Sequence, residues 1–387
     1  MDFISLSPVD YIFTGAGSQP ITFAFYYPAK QGQDKLKFSL NETLKHFSVL
    51  QSQLKRISDH EYVFDISGNE VIFKIKNSDY EFDKKDDIKK YITPVSSFEG
   101  EPLTRITLTH TPSGSVLGVS ISHALVDGFS YFHFLSSWAR ISKGERFIPP
   151  HIIRNLFSGF FEKIDKKITL QDLLNNCGLF YGEKRKDIKI SVNDKFFISS
   201  ETIKSISEDA RQKNNFLLTE NDIITGILWK KYLSEWTKNN LNPVTYLTFP
   251  FDFRRALPGF PKNYFGCAVC FGTSELNLDE LSSLSVTEIA VQVKNSVGKI
   301  KRDYIKNSLN TLMNFRIQTD AKEFERIQLR HPANGIIVTN ISRMPVRELD
   351  FGNGAPTEVL TYSEILRSAA ILPATNGVEI LATSPVI

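Results

Sequence analysis

Cysteine is scarce in this chain, and no charge sign is in excess. Three cysteines among 387 residues are too few for a disulfide framework, which indicates a reducing compartment and a cytoplasmic location. The net charge of +3 predicts neither nucleic acid nor an anionic membrane surface as a partner. No run approaches the roughly 18 apolar residues that a membrane helix needs. The opening MDFISLSPVDYIF lacks the basic and then apolar order of a secretory signal.

The length and composition of the chain indicate a globular protein with more than one hydrophobic core. A length of 387 residues exceeds one ordinary core, so two domains are predicted, at 1–180 and 181–387. The poorly periodic stretch 143–190 is interpreted as the crossover between them. With 30 phenylalanines and 13 tyrosines, apolar material suffices for two cores and for a ligand tunnel. A monomer is expected.

Hydrophobic periodicity places strands and helices in a mixed order. The predicted strands are 21–27, 61–66, 70–76, 195–198, 244–253, 335–342 and the closing NGVEILAT, together with a hairpin over 105–122. The predicted helices are 34–54 with Asp34 as N-cap, 129–140, 169–176, 201–213, 219–236 with a Thr219–Asp222 capping box, and 289–304. Strands and helices without a steady alternation predict an α/β fold with mixed sheets rather than a TIM barrel.

The stretch VSISHALVDGF at 119–129 carries the most chemistry. If a strand runs to 122, its alternation places His123 on the apolar side, where partial desolvation favours the neutral imidazole that a general base needs. Asp127 follows just past the turn, and Gly128 permits a backbone conformation that other residues resist. On this pattern alone, a structural and a catalytic histidine remain equally open.

Other chemistries find less support in the residues. His123 and Asp127 offer only two metal ligands, and His133 falls on the following helix, so no metal site is predicted. Cys267 and Cys270 are interpreted as core cysteines. No G-x-S-x-G elbow and no phosphate-binding glycine motif occurs. One histidine without a metal is most compatible with proton abstraction from an acceptor.

Several segments together resemble one known family. HALVDG (123–128) matches an H-x-x-x-D-G motif that is followed by a helix like FSYFHFLSSWA. The other matches, in the same order as in the family, are LSPVD (6–10), LKFSLNETLKHFSVL (36–50), DFRRALPGFPKNYFG (252–266) and TNISRMPVRELDFGNGAP (339–356). These segments resemble the BAHD family of CoA-dependent acyltransferases and span nearly the whole chain.

The resemblance implies a fold and a reaction. The fold would be two chloramphenicol acetyltransferase-like domains with mixed sheets and a tunnel between them. His123 would remove a proton from the hydroxyl or amine of a small-molecule acceptor, which then attacks the thioester of acyl-CoA. Acyl-CoA would be a co-substrate, and no tightly bound cofactor is implied.

The resemblance also implies supporting residues. Asp127 would turn away from the substrates and pair with Arg254, with Arg255 as a one-residue alternative. Thr339 matches a position that donates a hydrogen bond near the oxyanion or acceptor, although it could equally be a β-branched strand residue. Asp350, Gly352 and Gly354 belong to a motif that is mainly structural.

Some positions depart from the family pattern. Asn353 replaces the tryptophan of D-F-G-W-G, Cys267 stands where Y-F-G-N has asparagine, and Ile341 replaces a tryptophan common beside the acceptor in plant members. Two further functions therefore stay open. One is a condensation-domain-like catalyst that takes its acyl group from a carrier protein, although Ser122 stands where those domains usually have a second histidine. The other is a degenerate member that binds a ligand without turnover.

Overall fold

The computed structural model describes residues 3–15, 18–68, 70–183, 191–214, 216–233 and 243–385. The helices in these ranges are α1 (Gln33–Leu44), α2 (Gly128–Ser142), α3 (Leu170–Cys177), α4 (Ser200–Asn214), α5 (Glu220–Lys231), α6 (Leu278–Ser283), α7 (Val286–Val297) and α8 (Arg302–Gln318). The strands are β1 (Phe3–Ser5), β2 (Ile21–Tyr27), β3 (Gln53–Ser58), β4 (Glu61–Asp65), β5 (Ile72–Asn77), β6 (Thr104–His110), β7 (Ser115–Ile121), β8 (Phe180–Tyr181), β9 (Ser191–Ser199), β10 (Val244–Asp252), β11 (Val269–Asn277), β12 (Ile327–Gln328), β13 (Gly335–Asn340), β14 (Glu358–Thr361), β15 (Ser368–Ala374) and β16 (Gly377–Pro385).

Two mixed sheets form the framework. The first has the order β14-β2-β7-β6-β5, in which β5 and β6 run parallel and the other neighbours antiparallel. The second has the order β11-β10-β13-β15-β16-β9, with parallel pairing of β13 to both β10 and β15. Smaller sheets join β1, β4 and β3, and β12 and β8. The predicted α/β fold with mixed sheets is confirmed.

One strand crosses from the second half of the chain to the first sheet. β14 pairs antiparallel with β2, so that Glu358 lies opposite Tyr26 and Thr361 opposite Phe23. A cut between residues 180 and 181 would therefore remove an edge strand from the first sheet. The division into domains 1–180 and 181–387 stays a prediction, and residues 184–190 of the predicted crossover lie outside the described residues.

Helix lengths were predicted less well than helix positions. The helix predicted over 34–54 ends at Leu44, where the amides of His46 and Phe47 both bond to the Thr43 carbonyl, and its N-cap is Gly32 rather than Asp34. Phe47 and Leu54 are buried in the same core from a turn and from β3, so the apolar spacing continues after the helix has ended.

The helix predicted over 289–304 was also too long, because two helices share this stretch. α7 ends before Gly298, whose amide bonds to the Lys294 carbonyl, and α8 starts at Arg302. Ile300 in the connection is buried, so it repeats the helical spacing without being helical. The helix predicted over 219–236 is described as α5, and residues 234–236 lie outside the described ranges.

Local signals were more reliable. The Thr219 hydroxyl accepts a hydrogen bond from the Asp222 amide, and the Asp222 carboxylate accepts one from the Thr219 amide (3.2 and 2.9 Å). This is the predicted capping box. The predicted hairpin is present as β6 and β7, which pair antiparallel.

β7 leads directly to the histidine and is buried on both faces. All seven of its residues are buried, so the apolar face and the opposite face, which carries Ser120, are both covered. Ser120 in the middle of this buried sheet is accommodated by hydrogen bonds: its Oγ lies 2.9 Å from Thr22 Oγ1 and accepts from the Val95 amide at 3.1 Å. Gly118 allows close packing, because a Cβ there would lie 2.1 Å from the carbonyl oxygen of Tyr91.

Of the helices in the described ranges, not one combines the length and the apolar character that crossing a membrane requires.

Candidate active site

His123 lies in the tight turn between β7 and α2. The Ser122 amide donates to the Leu103 carbonyl at 2.9 Å, and the Leu125 amide donates back to the Ser122 carbonyl at 3.0 Å. Asp127 is the N-cap of α2, since its Oδ1 accepts from the Ser130 amide at 2.9 Å. The H-x-x-x-D spacing is thus a turn that ends in a helix cap. We call residues 122–127 the catalytic turn.

Gly128 does not use the backbone freedom that a glycine permits. It is the first residue of α2, and it is absent from the glycines with positive φ. A Cβ at this position would meet only Ile341 Cγ2, at an ordinary contact distance of 3.8 Å. The chain changes direction in the turn before Gly128. The sequence pattern alone does not show whether the turn or the glycine makes this change.

The imidazole of His123 is held between an aromatic ring and a thiol. The Phe13 ring stacks on it with 3.8 Å between centroids and an interplanar angle of 9°. Cys267 Sγ lies 3.9 Å from Nδ1 and donates to the backbone carbonyl of His123 at 2.9 Å. The residue stays partly exposed, unlike its neighbours Ser122 and Ala124, which are buried.

The surroundings of His123 favour the neutral ring. Although part of the residue stays exposed, its burial among packed side chains lowers the pKa of the imidazole, and its own backbone carbonyl and the charge of Asp127 oppose this only in part. In a neutral imidazole one ring nitrogen carries the proton. The other nitrogen keeps its lone pair for a substrate.

Asp127 is paired with Arg254, as the resemblance implied. The two guanidinium–carboxylate distances are 2.7 Å and 3.0 Å, and both side chains are buried. The carboxylate also accepts from the amides of Ser130 and Ala268 (2.9 and 3.0 Å). Burial alone would raise the pKa of Asp127, but the charge of Arg254 and these hydrogen bonds outweigh it and hold the pKa below the ordinary value. Its hydrogen bonds are thus directed to protein groups that hold the turn.

Arg254 connects this turn to the segment before β11. Its Nε donates to the Tyr264 carbonyl at 3.0 Å and its Nη2 donates to the Gly266 carbonyl at 2.9 Å. The guanidinium also lies over the Phe129 ring, 4.5 Å from its centroid. Arg255, the alternative partner, is exposed.

A second buried ion pair, Asp10–Arg154, lies beside the same turn and was missed. Arg154 Nη1 donates to Asp10 Oδ2, and Nη2 donates to the carbonyl of Leu125 at 3.0 Å. Asp10 also accepts from the amides of Ser7 and Cys267 (2.7 and 3.2 Å). Burial raises the pKa of the Asp10 carboxyl, and the charge of Arg154 and the bonds from Ser7 oppose the rise. The only sequence signal was a carboxylate in the family-like LSPVD segment.

Thr339 belongs to the segment that reaches the start of α2. Thr339 is partly exposed in β13, opposite Ala370, and Ile341 two residues later approaches the start of the helix at Gly128. Its proposed oxyanion or acceptor contact stays a prediction. Cys270, like Cys267, is buried.

The DFGNG segment lies at the other end of α2. Asp350 Oδ1 accepts from the amides of Gly352 and Gly354 (2.7 and 2.9 Å), whose φ values are 107° and 93°. Both glycines therefore have a conformation that favours glycine. Ser142 Oγ, at the end of α2, donates to the Phe351 carbonyl at 3.0 Å. A helix of this length separates its two ends by about 20 Å, so this segment is remote from the catalytic turn.

No cluster of three or more His, Cys, Asp or Glu side chains that could hold a metal ion occurs within the described ranges. A cavity of about 310 Å³ is lined by residues from both halves of the chain, including Ser18, Ser97 and Glu364. The Ser97 hydroxyl in its wall lies 2.7 Å from that of Ser122, next to His123.

A scan against protein-family models matches the Transferase family over residues 3–386. The chain belongs to this family, the BAHD acyltransferases. It is therefore an enzyme, an acyl-CoA-dependent O- or N-acyltransferase, as the sequence predicted. Acyl-CoA is the co-substrate of the family, which needs no tightly bound cofactor.

Named relatives of this BAHD acyltransferase include transferases to oxygen and to nitrogen. It is 24% identical over 343 residues to shikimate O-hydroxycinnamoyltransferase of Nicotiana tabacum, with 83% of this chain and 77% of the relative covered. It is 23% identical over 361 residues to anthranilate N-benzoyltransferase protein 2 of Dianthus caryophyllus, with 82% and 74% covered. Among solved structures, F. graminearum TRI101 complexed with coenzyme A and deoxynivalenol shares the fold, with a TM-score of 0.80, 12% identity, and 99% and 95% of the two chains covered.

Proposed function

We propose that this BAHD acyltransferase moves an acyl group from acyl-CoA to the hydroxyl or amine of a small-molecule acceptor, with His123 as general base and without a metal ion. The observation that carries the proposal is the state of the imidazole. Burial lowers its pKa, one face of the ring is stacked against Phe13, and the residue stays partly exposed. A neutral ring with one free lone pair is what a general base at neutral pH requires.

The reaction follows from that lone pair. The imidazole takes the proton from the acceptor as its oxygen or nitrogen attacks the thioester carbonyl carbon. The resulting tetrahedral intermediate expels the CoA sulfur, and the imidazolium returns the proton to the departing thiolate. A positioned base contributes about 10²–10⁴-fold. The alignment of two substrates and stabilisation of the oxyanion would supply the remainder.

The other predicted residues have supporting roles in this proposal. Asp127 and Arg254 hold the catalytic turn, and Thr339 contacts the oxyanion or the acceptor. Asp350, Gly352 and Gly354 shape a remote loop. We further propose a cytoplasmic monomer that binds neither nucleic acid nor membrane.

The test is release of free CoA thiol from a panel of acyl-CoAs in the presence of acceptors. Hydroxycinnamoyl- and benzoyl-CoA with shikimate and anthranilate are the first probes, because the relatives are named for them. The wild-type protein should release thiol with at least one pair, His123→Ala should lose about 10²-fold or more, and EDTA should leave the rate unchanged. Equal rates for the folded variant and the wild type would refute the proposed base.

The thioester donor is a separate question, and Ser122 bears on it. This residue precedes His123, is buried, and is bonded to Ser97 and to the Ala124 amide. The position therefore supplies no second base of the kind that condensation-domain-like catalysts usually have, which supports free CoA as the donor. Acyl-CoA should turn over faster than the same acyl group on a carrier protein. The reverse order would favour the carrier, and ligand binding without turnover would favour a degenerate member.

A further inference from the structure

We propose that the Asp10–Arg154 ion pair positions His123 for catalysis. This inference rests on the proposed function, because it concerns the residue assigned there as the base. Within the described residues, neither charged group forms a hydrogen bond to a ring nitrogen of His123. The pair acts through three neighbours of the histidine, which are Phe13, Leu125 and Cys267.

The first connection runs through the short helix that Asp10 begins. A 3-10 helix covers Asp10–Phe13, and side chains three residues apart in such a helix lie on the same side. Asp10 is fixed by Arg154 on that side, and Phe13 stacks on the imidazole from it. The carboxylate therefore sets the position of the ring that covers one face of His123.

The second connection is the fork of the Arg154 guanidinium. One arm bonds to Asp10 and the other to the carbonyl of Leu125, two residues after His123 in the catalytic turn. A planar guanidinium holds two acceptors at a fixed mutual angle, which the compact ammonium of lysine does not do. The side chain is clamped further by the Phe64 ring, 4.9 Å from the guanidinium carbon.

The third connection passes through Cys267, where the family pattern has asparagine. Its amide donates to Asp10 Oδ1 at 3.2 Å, while its thiol donates to the His123 carbonyl at 2.9 Å. Asp10 thus fixes the backbone from which the thiol holds the histidine. With the Phe13 and Leu125 contacts, the turn is held through three separate segments of the chain.

Stabilisation of the fold does not by itself explain why the chain has a buried ion pair at this position. Removing two charges from water costs about as much as their attraction returns, and apolar replacements of buried pairs often fold as well or better. A replacement that keeps the fold while removing the fork should therefore separate positioning from stability. This gives two kinds of variant, one that keeps the charge and one that removes both charges.

The first variant is Arg154→Lys, which keeps the positive charge but not the planar fork. We expect kcat to fall about 10- to 100-fold, since a displacement of about 1 Å costs up to 10²-fold, with the KM for acyl-CoA within about twofold. The groups packed around the turn are Asp127, Arg254, Asp10, Cys267 and residue 154 itself, and all their charges are retained. A ring released towards water should nevertheless recover a higher pKa, which moves the acid limb of the pH–rate profile upward.

The matched control is Arg56→Lys. Arg56 also joins distant segments, with its Nη2 donating to Asp320 at 2.8 Å, but in the part of the chain that the structure describes its contacts do not include the catalytic turn. Its kcat and acid limb should match those of the wild type. Equal effects at Arg56 and Arg154 would overturn the positioning role.

The double variant Asp10→Leu/Arg154→Met keeps the test valid if Arg154→Lys fails to fold. It should fold and still show the reduced kcat, and a wild-type kcat in the folded double variant would overturn the inference. NMR titration of the His123 ring protons in the wild type and the folded variant requires no turnover. A raised ring pKa in the variant supports positioning even if the proposed reaction is wrong, and an unchanged ring pKa together with an unchanged kcat contradicts it.

Discussion

At the scale of single residues, burial gives His123 a pKa unlike that of a surface histidine. Because the ring must be neutral to act as a base, the acid limb of kcat/KM should lie below about 6.5, the ordinary histidine value. The pH dependence of thiol release measures it, and a limb above that value would contradict the assigned environment. The same shift affects stability. The unfolded chain binds the proton more readily, so this contribution to the free energy of unfolding is complete above about 6.5 and is lost as the pH falls.

Asp127 and Asp252 both contact Arg254, and they provide a matched pair of substitutions. Asp127→Ala leaves a buried guanidinium without its main counter-charge and should lower the free energy of unfolding by about 3–5 kcal/mol. Asp252 is 43% exposed and lies 3.1 Å from the same guanidinium, so Asp252→Ala should cost about 1 kcal/mol or less. Urea unfolding monitored by fluorescence compares them. Equal losses would show that the Asp127 pair contributes no more than an exposed one.

At the scale of secondary-structure elements, the position of the catalytic turn depends on how closely β7 packs. A methyl group at Gly118 would lie 2.1 Å from the Tyr91 carbonyl, and backbone cannot yield as a flexible side chain can. Gly118→Ala should therefore lower the free energy of unfolding by about 1–3 kcal/mol, the usual cost of overpacking. Thermal unfolding provides the measurement.

Gly298→Ala is the control for this substitution. A Cβ there would lie 3.4 Å from the nearest carbonyl oxygens, and the glycine has no positive φ. Its effect should be close to zero or stabilising, because alanine restricts the unfolded chain more than glycine does. If both variants lose the same stability, the close approach of β7 to Tyr91 is not what limits residue 118.

Features determined by residues close together in the sequence could be predicted, whereas features determined by residues far apart in the sequence could not. The β6–β7 hairpin and the Thr219 capping box are local, and both were found. The ends of α1 and α7 were missed because Phe47 and Ile300 continue a helical spacing from turns that pack on the core. The Asp10–Arg154 pair joins residues 144 apart, and neither residue shows its partner in its own neighbourhood. Arg254 was found only through the family resemblance.

At the scale of the whole molecule, the two halves of the chain complete each other. The first sheet needs β14 from the second half, and Asp127 needs Arg254. Residues 1–180 expressed alone should therefore lack cooperative unfolding, whereas 1–180 and 181–387 produced together should associate. Calorimetry and size-exclusion chromatography provide the measurements. A cooperative transition in the isolated 1–180 fragment would support the predicted boundary as a true domain limit.

The peptide segment at residues 267 and 268 lies between the two buried ion pairs. The Cys267 amide bonds to Asp10, and the next amide, of Ala268, bonds to Asp127. Both carboxylates are buried, so neither amide hydrogen is accessible to water unless the ion pair it is bonded to opens. The hydrogen–deuterium exchange rates of these two neighbouring amides would therefore report separately on the opening of the two ion pairs. Exchange at Cys267 measures how often the N-terminal segment with Asp10 separates from the turn. Exchange at Ala268 measures how often Asp127 separates from Arg254.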